Sequence, residues 1–240
     1  MKALILAGGY ARRLAPITDF VAKPLLPLGD KLVIDHVLDS LKSLPIKEIG
    51  VSTNSYYEKE FRYWKSCRNE NIKLIIEPTM GEEEKFGAIA GIKYAIDRMG
   101  DDDYVILAGD NVFDFNLGKL YELFIKYKKP VMALYDVKSK ERAKNYGVVK
   151  INKDNRVIKM EEKPQNPEST LVSTACYIFP SNTVVKIEEY LNGKNNPDSP
   201  GYFLSWLATN YEVYAYPFTG LWKDIGNLGE YKEAFRMFNK

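Results

Sequence analysis

Paired glycines and several cations follow the first apolar segment of the chain. KALILA, residues 2–7, has the composition of a buried strand, and Gly8 and Gly9 come directly after it, ahead of Arg13 and, a loop later, Lys23. Glycine lets a ligand approach the backbone because it has no Cβ, and consecutive N–H groups in such a turn form a concavity that binds anions. Arginine and lysine side chains supply the positive charge that phosphates need. We therefore expect a phosphate-binding loop here.

An aspartate ends the clearest strand of the sequence. YVILAGD, residues 104–110, is a continuous apolar run that ends at Asp110, and Asn111 follows. In an open α/β sheet, ligands bind beyond the carboxyl ends of the strands, so we expect Asp110 to face the same crevice as the phosphate-binding loop. The loop itself is neither a P-loop nor a dinucleotide-binding loop, since GxxxxGK[ST] and GxGxxG are both absent.

The elements that position these residues alternate between strands and helices. Short apolar runs are followed by segments with helical spacing up to about residue 145, which predicts parallel βαβ units with right-handed crossovers. After that point, strands with short connections predict an antiparallel part. The sequence thus predicts an α/β fold with a three-layer, Rossmann-like, mostly parallel but mixed sheet. We expect one domain over residues 1–240, with a half over about 1–145 and another over about 146–240.

Composition excludes several classes of function. A net charge of +2 gives no reason to expect nucleic-acid binding. The only histidine, His36, lies in an apolar-periodic helix, and Cys67 and Cys176 are far apart, which predicts buried free thiols rather than a zinc site or a disulfide scaffold. No apolar run is long enough to cross a membrane, and the N-terminus lacks the features of a signal peptide. We therefore expect a cytoplasmic protein without membrane or nucleic-acid partners.

Five segments carry a resemblance to a known family. LAGGYARRLAPIT followed by AKPLLPLGDK resembles the N-terminal motif of sugar-1-phosphate nucleotidylyltransferases, in which G-G-x-G-[TS]-R-L-x-P-[LM]-T precedes K-P-x-[LV]-P. LAGDN, YGVVK, EEKP and WKDIGN continue the resemblance in the family's order and span the whole chain. The resemblance implies a nucleotide-diphospho-sugar transferase fold. It also implies a reaction in which an oxygen of a sugar 1-phosphate attacks the α-phosphorus of an NTP and releases pyrophosphate.

The resemblance also implies roles for individual residues. Asp110 and Asp224 would bind Mg²⁺, which prefers one or two carboxylates together with phosphate oxygens and water. The residues expected to bind the nucleotide are Leu6, Ala7, Gly8, Gly9, Arg13, Lys23, Glu77, Gly87 and Asp110. Those expected to bind the sugar phosphate are Tyr146, Gly147, Glu162, Lys163 and Thr174, and the catalytic set is Arg13, Lys23, Asp110, Lys163 and Asp224. Glucose 1-phosphate with dTTP or UTP is the substrate pair that the resemblance favours. It leaves the oligomeric state open, so a homo-oligomer is not excluded.

Three departures from the family pattern concern the nucleotide half. Ala11 stands where the family usually has glycine, which predicts strain if its φ is positive. Arg12 stands where threonine or serine is usual and could add a phosphate contact. The family joins its base-reading residue closely to a glycine turn, whereas here the acidic insert, residues 79–86, separates Glu77 from Gly87. We expect the three glutamates of this insert, residues 82–84, to be solvated.

Other functions fit parts of the sequence. A glycosyltransferase that uses an NDP-sugar would need a DxD metal motif, and Asp101–Asp103 supplies one, but we expect it at the wrong end of the sheet because it precedes a strand. A non-catalytic regulatory protein that binds an NDP-sugar is a second alternative. A cytidylyltransferase acting on a polyol phosphate is a third.

Overall fold

Strands and helices alternate along the chain in a computed structural model, which describes residues 1–239. The strands are β1 (Lys2–Leu6), β2 (Pro27–Leu28), β3 (Lys31–Leu32), β4 (Ile49–Asn54), β5 (Ile72–Glu77), β6 (Tyr104–Ala108), β7 (Asn111–Phe113), β8 (Val131–Asp136), β9 (Gly147–Ile151), β10 (Val157–Glu162), β11 (Leu171–Phe179), β12 (Tyr214–Phe218) and β13 (Trp222–Asp224). The helices are α1 (Val33–Ser40), α2 (Glu58–Ser66), α3 (Ala88–Met99), α4 (Leu117–Tyr127), α5 (Lys140–Ala143), α6 (Thr183–Asn192), α7 (Pro200–Asn210) and α8 (Leu228–Phe238).

A nine-stranded mixed sheet forms the centre of the molecule. Seven of its strands follow the order β10-β9-β11-β6-β1-β4-β5, and β8 and β12 are the other two. The block β6-β1-β4-β5 is parallel throughout. Strand β11 runs antiparallel to β6, β8 and β9, and β12 joins β8 in parallel. The predicted mixed sheet is therefore confirmed, but antiparallel pairing begins before residue 145, because β8 already pairs antiparallel with β11.

Helices cover both faces of the sheet. Side chains alternate between the two faces along each strand. In β1, Ala3 and Ile5 join the cluster that contains helices α1, α2 and α4. Leu4 joins the opposite cluster, which contains α3, α6 and α7. Since both faces are buried, the strands read as continuous apolar runs, and the three-layer prediction is confirmed.

A two-stranded sheet lies beside the central one and pairs distant parts of the chain. Strands β7 and β13 are antiparallel, and Asp224 is the register partner of Asn111. Helix α8 follows β13; its first turn is capped by Asn227, whose side chain accepts a hydrogen bond from the backbone N–H of Glu230 at 3.1 Å. Ile225 and Ala234 pack with residues of the N-terminal loops. The C-terminal segment is thus fixed against the end of β6.

Two further expectations can be compared with the structure. Cys176 is buried as expected, but Cys67 is exposed, because it lies just past the end of α2 rather than on its buried face. None of the helices in residues 1–239 is long and apolar enough to span a membrane.

Candidate active site

The carboxyl ends of four parallel strands meet at one edge of the sheet. Gly8 follows β1, and β4, β5 and β6 end at Asn54, Glu77 and Ala108. The Asn54 side chain donates a hydrogen bond to the Gly8 carbonyl at 2.9 Å, and the Gly109 N–H donates to the Leu6 carbonyl at 2.8 Å. These bonds hold the ends of β1, β4 and β6 together, so the predicted crevice is present.

Asp110 and Asp224 lie together at this edge and form a carboxylate pair. The pairing of β7 with β13 brings them together, because the backbone N–H of Ile225 donates to the Asp110 carbonyl at 3.1 Å. The side-chain amide of Asn111 donates to Asp110 Oδ1 at 3.0 Å and to Asp224 Oδ1 at 3.5 Å. Trp222 Nε1–H in turn donates to Asn111 Oδ1 at 2.8 Å. One buried amide therefore orients both carboxylates.

The pKa values of the two carboxyl groups in this pair are shifted in opposite directions. Burial alone would raise the pKa of Asp110, but the Lys23 ammonium that contacts Asp110 Oδ2, together with the Asn111 hydrogen bond, lowers it. Burial and the nearby Asp110 charge raise the pKa of Asp224 to about 7, against a weaker opposing effect of Lys23 and Arg13. Two adjacent carboxylates with one counter-ion leave an excess of negative charge.

This donor set fits a divalent cation. Within residues 1–239, no three acidic, histidine or cysteine side chains are placed to bind a metal by themselves. Two carboxylates are the protein share that Mg²⁺ commonly takes, since its other ligands are then substrate phosphates and water. The raised pKa of Asp224 indicates that a positive charge at this position would be stabilising. Asp110 and Asp224 are therefore the residues that would hold the cation.

A cavity of about 210 Å³ opens on the nucleotide side of the edge. We call it the glycine-lined cavity. Its lining includes five of the residues expected to bind a nucleotide: Leu6, Gly8, Gly9, Glu77 and Gly87. Ala7 is buried beneath it, where its backbone N–H donates to the Ser52 carbonyl at 2.7 Å. The predicted nucleotide residues of β1 and β5 thus surround one space.

A larger cavity of about 520 Å³, the polar cavity, is lined in part by Asp224 of the carboxylate pair. Its lining includes Arg13, Tyr146, Gly147, Glu162, Lys163, Thr174 and Asp224. Every residue expected to bind the sugar phosphate is therefore in this one space. Residues 8–13 connect the two cavities, since Gly8 and Gly9 line the first and Arg13 the second.

Glu162 and Lys163 differ in how firmly they are held within the polar cavity. The Glu162 side chain is 8% exposed and accepts a hydrogen bond from Ser199 Oγ at 2.9 Å. Lys163 has a left-handed backbone, with φ of 47°, and its N–H donates to the Tyr146 carbonyl at 3.0 Å. Its side chain is 63% exposed. Lys163 is thus a largely exposed cation of the cavity lining, whereas Glu162 is a buried, hydrogen-bonded acceptor in its wall.

The two departures in the first loop have structural consequences. Ala11 has φ of 48° and ψ of 38°, a left-handed conformation that normally favours glycine. Arg12 lies within 3.4 Å of Glu83 and 3.8 Å of Glu82. It therefore pairs with the acidic insert instead of pointing to the polar cavity that Arg13 lines. The three glutamates of the acidic insert, Glu82–Glu84, form one turn of 3-10 helix.

Asp101–Asp103 lies at the opposite edge of the sheet. The N-terminal ammonium pairs with Asp102 at 3.2 Å, and Asp103 Oδ1 accepts a hydrogen bond from the Ser181 N–H at 3.0 Å. The placement expected for this motif is confirmed, and it has no access to either cavity.

Several residues of the site were not among the predicted ones. Trp222 donates to Asn111, and its ring meets that of Tyr146 edge-on at 5.2 Å. Burial and Asp224 raise the pKa of Tyr146 to about 12, so its hydroxyl stays protonated. The remaining unpredicted lining residues of the polar cavity include Asn145, Ser199, Gly201, Asn227 and Glu230. Only Asn227 gave a signal, as a helix cap after WKDIG.

Comparisons with known proteins show the family of this chain. The family model described as nucleotidyl transferase matches residues 2–240. A glucose-1-phosphate adenylyltransferase of Clostridioides difficile (strain 630) is 32% identical over 248 residues, which cover 95% of this chain and 64% of that protein. A protein of the same name from Thermosipho africanus (strain TCF52B) is 30% identical over 253 residues, covering 97% of this chain and 60% of that one. The chain thus spans about 60% of the length of these curated relatives.

Solved structures share the fold. A candidate glucose-1-phosphate thymidylyltransferase from Bacillus anthracis, in complex with sucrose, has a TM-score of 0.86 and 24% identity, covering 100% of this chain and 96% of that one. A UDP-glucose pyrophosphorylase complexed with UDP-glucose has a TM-score of 0.81 and 23% identity, covering 99% and 97%. The fold is that of the nucleotide-diphospho-sugar transferases. The chain belongs to the nucleotidyl transferase family.

Proposed function

We propose that this chain catalyses nucleotidyl transfer from an NTP to a sugar 1-phosphate. The observation that carries the proposal is the carboxylate pair, whose Asp224 lines the polar cavity, beside the first loop, which lines both cavities. A phosphate oxygen of the sugar 1-phosphate attacks the α-phosphorus of the NTP; the new P–O bond forms as the bond to the β-phosphate breaks. Pyrophosphate leaves and an NDP-sugar remains. Such a transfer depends on positioning and on charge neutralisation more than on covalent catalysis.

Each part of the site has a role in this transfer. When bound by Asp110 and Asp224, a divalent cation supplies charge neutralisation and a template for the phosphates. Gly8 and Gly9 let the phosphates approach the backbone. Lys23 and Arg13 stabilise the charge that develops on the departing pyrophosphate. We propose Mg²⁺ as the cation because its ligand preference matches the donor set.

The polar cavity binds the sugar phosphate in this proposal. The fixed carboxylate of Glu162 accepts hydrogen bonds from sugar hydroxyls, and the Lys163 ammonium pairs with the phosphate. Gly147 leaves room for the Glu162 carboxylate, because a Cβ there would lie 2.8 Å from the Met160 side chain and 3.0 Å from Glu162. Thr174 shapes the wall rather than binding the sugar through its hydroxyl, which donates to the Ala133 carbonyl at 3.1 Å. We propose that residues before about 145 form the nucleotide-binding half of one domain and that residues after it form the sugar-phosphate-binding half.

Glucose 1-phosphate is the acceptor that we propose, since the names of the relatives include it. These names differ in the base, which is adenine in the adenylyltransferases and thymine or uracil in the names of the solved structures. The sequence-based expectation of dTTP or UTP stays a prediction.

A screen of pyrophosphate release tests the proposal. Five NTPs are combined with several sugar 1-phosphates, with and without Mg²⁺. We expect release only when an NTP, a sugar 1-phosphate and the metal are all present. Asp110→Asn and Asp224→Asn should each abolish nearly all of it, because each removes a metal ligand. Near-normal turnover in both variants would contradict the assignment of the site.

The same screen separates the alternatives. Transfer of a sugar from an NDP-sugar without pyrophosphate release would indicate a glycosyltransferase, although Asp101–Asp103 lies away from both cavities. Binding of an NDP-sugar without turnover of any substrate pair would indicate a regulatory protein. Release of pyrophosphate from CTP and a polyol phosphate alone would indicate a cytidylyltransferase.

A further inference from the structure

A carboxylate without a cation lies in the wall of the glycine-lined cavity. Glu77, the last residue of β5, lines this cavity, and Oε1 of its side chain accepts a hydrogen bond from Ser52 Oγ at 3.2 Å. No lysine or arginine of residues 1–239 pairs with it. Burial raises the pKa of Glu77, and the Ser52 hydrogen bond opposes that effect only partly. Ser52 is the one donor that reaches this carboxylate within the described residues, so a ligand in the cavity can supply further hydrogen bonds.

The one lysine or arginine in the lining of this cavity is already paired with carboxylates. Lys85 lines the same cavity, but its ammonium lies 2.8 Å from Glu82 and 3.0 Å from Asp198. Both of these carboxylates also line the cavity. Three carboxylates therefore line this cavity: Glu77, Glu82 and Asp198.

Two small residues make room for the Glu77 carboxylate. A Cβ on Gly91, in α3, would lie 2.7 Å from Glu77 Oε1, which is too close for any real contact. A Cβ on Gly8 would lie 3.7 Å from the same oxygen. Gly91 has an ordinary helical backbone, so glycine is not needed there for its conformation. Its lack of a side chain instead leaves the space that the Glu77 carboxylate occupies. The carboxylate is held at one place between β4, β5 and α3.

The nucleobases differ in what they offer to a carboxylate. An ionised carboxylate only accepts hydrogen bonds, through two adjacent oxygens. Guanine presents two adjacent donors, N1–H and the N2 amino group. Adenine and cytosine each place a ring nitrogen lone pair beside their amino group, and uracil and thymine place carbonyl oxygens on both sides of N3–H. Only guanine gives two donors side by side, while the other bases set a lone pair against one of the oxygens.

We propose that Glu77 is the residue that selects the base and that the base it selects is guanine. Its carboxylate accepts from N1–H and N2–H of the base, with Ser52 and Gly91 holding it in place. This inference rests on the proposed function, since it assigns the glycine-lined cavity to the base of the NTP. It differs from the dTTP or UTP that the family resemblance favours. The carboxylate is the reason for this difference, since it has no donor for a carbonyl oxygen of uracil or thymine, whereas the amide of a glutamine, which also occurs at the base-reading position of the family, offers one donor and one acceptor.

Nucleotide binding in the absence of sugar phosphate tests the inference directly. Dissociation constants for GTP, ATP, UTP, dTTP and CTP with Mg²⁺ are measured by calorimetry on the full chain. We expect GTP to bind about 10 to 100 times more tightly than UTP or dTTP, the discrimination expected of a bidentate contact to a base. Glu77→Gln should remove this preference and improve binding of UTP and dTTP. Glu122→Gln, a change of the same kind on the exposed face of α4, is the matched control and should leave the preference unchanged.

A second variant tests the positioning of Glu77 with the carboxylate retained. Gly91→Ala adds a Cβ that displaces Oε1, and alanine is a better helix former than glycine, so the fold is retained. We expect a reduced GTP preference at an unchanged or higher melting temperature. A wild-type chain that prefers ATP, UTP, dTTP or CTP, or a Glu77→Gln variant that keeps its preference for GTP, would overturn the inference.

Pyrophosphate release separates this inference from the proposed function. Release with sugar 1-phosphates from NTPs other than GTP supports the function and overturns the role of Glu77. A GTP preference in binding without any release supports the base assignment and overturns the catalytic proposal. A chain that binds none of the five nucleotides contradicts both.

Discussion

Replacing Trp222 with phenylalanine tests how the carboxylate pair is held. The indole N–H donates to Asn111 Oδ1 at 2.8 Å, and the two residues are only 6% and 5% exposed. Phenylalanine keeps an aromatic ring against Tyr146 but cannot donate. The buried oxygen of Asn111 then has no partner, which costs about 1–3 kcal/mol of stability. For a chain of this size, that loss lowers the melting temperature by about 2–12 °C.

The effect on activity should exceed the effect on stability. Asn111 donates to both carboxylates, so a rotated amide would misplace the two metal ligands. Changes of residues that orient metal ligands commonly cost about 10- to 100-fold in metal affinity or activity. We expect a loss of that size in turnover, a higher Mg²⁺ concentration for half-maximal rate, and little change in the KM for the sugar phosphate.

Pyrophosphate release at graded Mg²⁺ concentrations measures this effect, and Trp206→Phe is the matched control. Trp206 packs in α7 against Tyr190 and Phe203, away from the carboxylate pair. Its replacement should change the melting temperature without changing the Mg²⁺ requirement. If both variants lose activity in proportion to stability alone, the role given to Asn111 is wrong.

Three further perturbations have distinct outcomes. Ala11→Gly should raise the melting temperature slightly, since it relieves a left-handed alanine that costs about 1 kcal/mol, partly offset by the flexibility of glycine in the unfolded chain; a clear loss in thermal denaturation would contradict this. Lys163→Ala should raise the KM for the sugar phosphate more than that for the NTP in steady-state kinetics, and the reverse order would refute its role. The folded pKa of Asp224, about 7, is above its ordinary value. Its contribution to the stability of the metal-free protein is therefore favourable at low pH and is lost as the pH rises from about 4 to about 7. Asp224→Asn should become increasingly more stable than the wild type over that range, and an advantage that shrinks with pH would contradict the assignment.

Much of the fold is predictable because the strands are buried on both faces. YVIL and KALIL read as continuous apolar runs, and the helices between them show regular apolar spacing, so the parallel block β6-β1-β4-β5 follows from local patterns. The small sheet of β7 and β13 does not. Each strand has three residues, too few to show a period, and their pairing joins positions 111 and 224.

The predicted grouping of the site residues largely matches the two cavities, since most of the expected nucleotide residues line one and all of the expected sugar-phosphate residues line the other. The sequence did not show that Arg13, which follows Gly8 and Gly9 closely, lines the polar cavity beside Asp224. Nor did it show the partners of Arg12, which pairs with Glu82 and Glu83 across a sequence distance that no local pattern reveals.

The choice of base was the least predictable property, because it depends on the shape of the cavity as well as on the side chains that line it. Glu77 was identified as a nucleotide residue from the family resemblance. The sequence did not show that Ser52 and Gly91 fix its carboxylate in the cavity wall, since these residues lie on separate elements. Gly91 in particular reads as an ordinary helical position within GAIAGIKYAI.

The most direct test of the proposed reaction is the stoichiometry of its products in the wild-type chain. Pyrophosphate and NDP-sugar are quantified in the same reaction, containing an NTP, glucose 1-phosphate and Mg²⁺, with each component omitted in turn. We predict equal amounts of the two products, formed only in the complete mixture and absent when Asp110→Asn replaces the wild type. Pyrophosphate formed without the sugar phosphate, or no product with any combination of NTP and sugar 1-phosphate, would contradict the proposal.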